Sequence, residues 1–126
     1  MKVKRAAAVL LVESVEATRD FFRRVGFEVT VEIPDGGATG FAMLERDGVQ
    51  VMVETLDNGH EPQALRNVTR ASRHAAVFVE VDDLDEVIAA LAGEKVLVEG
   101  HKTFYNSDEL TYQEPGGHLV TFARFA

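Results

Sequence analysis

Ala7-Ala8-Val9-Leu10-Leu11-Val12-Glu13-Ser14-Val15 is answered 69 residues later by Ala76-Val77-Phe78-Val79-Glu80-Val81-Asp82-Asp83-Leu84. Each stretch is an apolar run of strand length, followed at once by a residue suited to cap a helix: Ser14 in one, Asp83 in the other. The same offset returns further on, where Gly48 pairs with Gly117, Val51 with Val120 and Met52 with Thr121. Apolar strands can look alike by chance, but chance does not also carry the caps and the hairpin glycines along. An internal repeat of this kind sets the architecture before any single element does.

Working outward from the first copy, Ala6 to Val12 reads as a strand, and Ser14 caps a helix that carries Glu16 in its first turn, near the positive end of the helix dipole. Val15, Thr18, Phe22 and Val25 share one helical face, the Thr18 hydroxyl bonding back to a helix carbonyl, and Gly26 supplies the stop. Phe27 to Ile33 alternates apolar and polar residues as a half-buried strand does, and Pro34-Asp35-Gly36-Gly37 ends it. Gly36 to Gly40 is glycine-rich but lies between strands; a phosphate cradle needs a helix N-terminus, so this is a hairpin loop. Phe41 to Glu45 and Val49 to Thr55 are two further strands joined by Asp47-Gly48.

The second copy repeats the order. Ala75 to Val81 is a strand, Asp83 caps a helix with Glu86 three residues on, and Leu84, Val87, Ile88 and Leu91 form its apolar stripe up to Gly93. Lys95 to Glu99, Leu110 to Glu114 and Leu119 to Phe125 supply three strands. The predicted fold is therefore α+β: two tandem βαβββ units, 1–56 and 74–126, within one domain. Residues 57–73 form a polar linker containing a short helical turn. Mixed sheets curled around a concave face are the expected product.

The composition agrees with a globular chain: 126 residues, 46% hydrophobic and 27% charged. The longest apolar runs are too short to cross a bilayer. The basic start, Met1 to Arg5, meets Glu13 and Glu16 with no small-residue cleavage site, so it reads as the approach to a strand, and a cytoplasmic location is expected. The absence of cysteine excludes disulfides, thiolate nucleophiles and cysteine-based zinc sites. Asn67-Val68-Thr69 matches a glycosylation sequon, which without a secretion signal is fortuitous. The net charge of −8 opposes partnership with nucleic acid or an anionic membrane; it suits a cationic ligand, and equally it aids solubility.

Three stretches carry a family resemblance: Val9 to Phe22 running on to Val25-Gly26-Phe27, then Val77 to Asp85, and Glu114-Pro115-Gly116-Gly117-His118-Leu119-Val120-Thr121-Phe122. In this order they resemble the vicinal oxygen chelate superfamily of glyoxalases, extradiol dioxygenases and bleomycin-resistance proteins. The look is nearest to the metal-free bleomycin-resistance branch. The resemblance implies four inward positions where metal-dependent members place ligands. Here they hold Ala7, Ala76, Thr121 and Met52, with Glu54 replacing Met52 if that strand is read two residues later. A methyl group donates no lone pair, a thioether is a poor ligand for hard cations, and a catalytic ion needs three or four donors. No metal and no cofactor is therefore expected.

Other candidates remain. His74 with His101 and Glu54 would build a displaced metal site, or His74 is a surface residue; His60 and His118 are expected to face solvent. Glu54 acts as a base or holds a cation, or it is solvated at a fraying strand end. Phe104 and Tyr105 occupy a loop similar to the family's aromatic-glycine loop, where flat rings stack on a ligand or pack at a rim. Phe41, Met43 and Tyr112 line the cavity beside Met52 and Thr121, or belong to the core. The leading expectation is a metal-independent protein that binds or sequesters a small, partly aromatic and cationic molecule, as a homodimer with two pockets. The alternatives are a glyoxalase-like isomerase or lyase with Glu54 as base, and an interaction module whose cavity Met43, Met52 and Phe104 fill.

Overall fold

In the computed structural model, which describes residues 1–56, 64 and 74–126, each repeat folds as β-α-β-β-β. The first contains β1 (Ala8–Val12), α1 (Val15–Arg24), β2 (Glu28–Asp35), β3 (Ala38–Arg46) and β4 (Val49–Thr55). The second contains β5 (Ala76–Glu80), α2 (Leu84–Ala90), β6 (Val96–Lys102), β7 (Ser107–Gln113) and β8 (Leu119–Phe125). Strand order is β1-β4-β3-β2 in one sheet and β5-β8-β7-β6 in the other, so the two units share one topology. Among the described strands, only β1 with β4 and β5 with β8 run parallel.

The capping chemistry read from the sequence is in place. The Ser14 hydroxyl accepts the Ala17 amide at 3.2 Å, and the Asp83 carboxylate accepts the Glu86 amide at 3.1 Å. Asp47 and Gly48 both take positive φ, as a tight hairpin requires. Strand ends differ more. The first hairpin turns at Gly36-Gly37 alone, since Ala38 already belongs to β3. In the second unit β6 runs on to Lys102 and β7 begins at Ser107, so the stretch read as a loop through Glu109 is mostly strand. The expected linker turn, His60 and the Asn67 sequon lie outside the described residues.

Both sheets turn one face to a shared core. Leu10, Val12, Ala42, Leu44, Val51 and Val53 come from the first sheet, and Leu110, Tyr112, Val120 and Phe122 from the second. Helix α1 fills the space between with Val15, Phe21 and Phe22, while α2 contributes Val87 and Leu91. Ile88, placed in the α2 stripe by its spacing, is exposed instead, because Val87 and Leu91 already occupy the inward face of that short helix. Tyr112 also departs from its expected place at the cavity. It is buried in the core, edge-on to Phe21 at 6.2 Å and to Phe122 at 5.9 Å.

A buried polar junction ties the units together. The Thr18 hydroxyl does not bond back to its helix; it donates to Glu114 Oε2 at 2.6 Å across the interface. Glu114 also accepts the Gly116 and His118 amides, at 2.7 and 3.0 Å. His118 is fully buried, contrary to the solvent-facing position expected of a turn histidine. Its Nδ1 accepts the Ala75 amide at 2.8 Å, which leaves Nε2 to donate to the Leu11 carbonyl at 2.9 Å. This neutral imidazole thus links β1 of one unit to the approach to β5 in the other. Burial is affordable because each polar atom is paired.

Candidate functional site

Side chains alternate across each strand, so the residues not directed at the core share the opposite, open face. On the first sheet, register sets Phe41 opposite Glu54, Met43 opposite Met52 and Val31 opposite Met43, with Val9 and Leu11 beside Met52 and Glu54. Phe41, Met43, Met52 and Glu54 therefore come together on one face and are half-buried there. Glu54 lies within the central strand β4, paired on both sides, and not at a frayed end. Val9, Val31 and Ile33 of the same face are exposed.

The open face of the second sheet carries Ala76, Phe78 and Glu80 from β5, and Thr121, Ala123 and Phe125 from β8. Strand β7 adds Ser107, Glu109 and Thr111. The family's ligand positions can now be tested by their donors. Ala7 and Ala76 present methyl groups, Met52 a thioether, and the Thr121 hydroxyl is already shared with Thr111 at 2.7 Å. Such a set does not fit a divalent ion. The displaced alternative is not assembled either. Glu54 belongs to the first sheet and His101 to β6, while exposed His74 rests its ring edge-on against His118 at 5.2 Å. Among the described residues, no group of three or more His, Asp or Glu is placed to hold a metal.

A different constellation emerges on the second sheet. Phe104 and Tyr105 sit at the β6–β7 turn, 5.1 Å apart, and Tyr105 faces Phe125 at 6.1 Å with the rings tilted by 33°. Phe125 in turn meets Phe78 at 6.4 Å. All four rings are exposed, Phe104 completely and Phe78 by 54%. Beside this row lies Glu109, a carboxylate only 7% exposed. Its Oε2 accepts the Tyr105 hydroxyl and the Ser107 hydroxyl, the latter at 2.7 Å. The Tyr105 bond first, then the Ser107 bond, hold the Glu109 carboxyl below the usual range, and the same carboxylate raises the Tyr105 phenol.

Sequence reasoning singled out Phe104 and Tyr105 but missed Phe78, Phe125 and Glu109. A signal was present: polar residues at Glu109, Thr111 and Gln113 alternate with Leu110 and Tyr112, which extends β7 upstream and puts Glu109 on the face of Thr121.

A cleft of about 420 Å³ opens elsewhere, between α2, the end of β5 and the β3–β4 turn. Its floor is apolar, with Phe27, Val87 and Phe122, and every charged residue on its rim is exposed. Arg24 is engaged with Glu94 and the Ala92 carbonyl, and Arg46 with the Gly26 carbonyl. No buried polar group lines it, so it offers less chemistry than the Glu109 face. No helix among the described residues is long and apolar enough to cross a membrane.

Comparison with known proteins bears on this geometry. The pattern of the Glyoxalase/Bleomycin resistance protein/Dioxygenase superfamily matches residues 4–122. Among curated proteins nothing matches. Similar solved structures include TioX from Micromonospora sp. ML1, at 23% identity over 98% of this chain and 97% of that one, with a TM-score of 0.73. A lactoylglutathione lyase from Agrobacterium tumefaciens is 16% identical over 98% and 95% of the two chains, with a TM-score of 0.72. A bleomycin resistance determinant encoded on the transposon Tn5 is 14% identical over 98% of both, with a TM-score of 0.67. At these identities the likeness is one of fold.

Proposed function

Because the chain belongs to the glyoxalase/bleomycin resistance protein/dioxygenase superfamily, we propose that it binds a small, partly aromatic and cationic molecule on its open sheet faces without a metal ion. The observation that carries this reading is the pairing of large apolar side chains, left in water, with family ligand positions that lack donors. Val31, Ile33, Phe78, Tyr105 and Phe125 are all exposed on these faces, where a stable monomer would ordinarily bury them or do without them. Flat rings bind flat ligands at little entropic cost, and the net charge of −8 favours a cation.

A second copy completes the pocket. Strands β1 and β5 are both sheet edges, each paired to one strand among the described residues. Setting the first sheet of one copy beside the second sheet of another covers both edges and encloses two pockets. Light scattering at micromolar concentration is expected to give twice the chain mass, and ligand is expected to favour that species. A chain that stays monomeric with ligand bound removes the two-copy pocket.

A further inference from the structure

Resting on that reading, we infer that Glu109 is the anchor for a protonated amine, and that the ring row Tyr105–Phe125–Phe78 is the shelf for the aromatic body bearing it. The ligand class is an aromatic ammonium whose nitrogen carries at least one hydrogen.

The register defines the spot. Glu80 and Glu109 lie on either side of Ala123 in one row across β5, β8 and β7, all on the open face. Phe78 precedes Glu80 by two residues and Phe125 follows Ala123 by two, so their rings meet from opposite sides over the small Ala123 side chain. This accounts for Ala123 being wholly buried although it points away from the core. The rings thereby make a continuous apolar surface that ends at a carboxylate.

The carboxylate itself is set up to receive a donor. Both of its bonds from protein hydroxyls go to Oε2, and Oε1 accepts no hydrogen bond from any described residue. Tyr105 and Ser107 fix the plane of the group, so Oε1 has a defined direction before a ligand arrives. Oε1 reaches solvent, and an incoming charged N–H would replace the water there with a charge-assisted bond. His101, opposite Glu109 on β6, is exposed, and its Nδ1 lies 3.0 Å from the Glu99 carbonyl. Rings alone would accept any cation through their faces. The free lone pairs of Oε1 add a preference for nitrogen that carries hydrogen over quaternary nitrogen.

The test is one ring system with three head groups, titrated calorimetrically near neutral pH: naphthylmethylammonium, its N,N,N-trimethyl derivative and naphthylmethanol. The ammonium should bind most tightly and the alcohol least, by about tenfold or more between those two. Glu109→Gln should bring the ammonium down to the level of the alcohol, while Phe125→Ala should weaken all three. The order of head groups in the unaltered protein is a test independent of any variant. An alcohol that binds as tightly as the ammonium, an unchanged order in Glu109→Gln, or unchanged binding in Phe125→Ala overturns the assignment while leaving a pocket. Binding of none of the three removes the pocket reading beneath it as well.

Discussion

Glu109 shows how a single carboxylate can serve both fold and ligand. Its folded pKa lies below the ordinary value because the Tyr105 hydroxyl, and after it the Ser107 hydroxyl, bond to the ionised form. Glu16, bonded first by the Thr39 amide, and Glu32, bonded first by the Thr39 hydroxyl and then by Arg19, shift in the same direction. A depressed folded pKa means that ionisation stabilises the fold above the unfolded value of about 4.3. That stability is lost as the pH falls through the folded value. The thermal midpoint should therefore drop between about pH 5 and pH 3, and less steeply in Glu109→Gln than in the unaltered protein. Parallel curves from circular dichroism melts would contradict this account of Glu109. The residue escaped the sequence reading because Asn106 to Glu109 has the polar, turn-forming look of a loop, although only Asn106 takes a positive φ. Tyr112 was misplaced by strand parity. Once Thr121 faces outward its partner Thr111 must as well, and the neighbouring Tyr112 then points to the core.

At the scale of elements, the caps and the Asp47-Gly48 hairpin were legible because their chemistry is local to a few residues. The junction between units was not, since nothing in Glu114-Pro115-Gly116-Gly117-His118 says which distant strand it meets. Only the packed units reveal that Glu114 reaches Thr18 of α1 and that His118 reaches the carbonyl end of β1. Close approach there also explains Gly116, where an added Cβ would lie 2.4 Å from Val12 and 2.9 Å from the Thr18 hydroxyl. His118→Ala would strip partners from the Ala75 amide and the Leu11 carbonyl together. A loss of about 2 kcal/mol in urea unfolding is expected, in line with two part-buried backbone groups losing their partner. A change below about 0.5 kcal/mol, the level of an ordinary surface substitution, would show that the imidazole is not a link between the units.

The whole molecule follows from duplicating one unit and packing the copies through a shared core. The two open faces then diverged: Phe41, Met43 and Met52 make the first apolar around Glu54, while Thr111, Thr121 and Glu109 make the second polar beside its rings. The repeat offset made the architecture readable, and Ala7 and Ala76 bring no donor to two of the family's ligand positions. The ligand face was only half readable, because it depends on strand parity and on rings brought together from β5, β8 and the β6–β7 turn. Binding without a metal ion is the central claim, and the most direct measurement is a paired titration with naphthylmethylammonium. One sample is stripped with chelator and desalted; the other is offered zinc, nickel, manganese and ferrous ions before desalting, with metal content read by mass spectrometry. Equal affinity in the two samples with negligible bound metal is the predicted result. Binding that appears only in the metal-treated sample, with about one ion retained per chain, would contradict it.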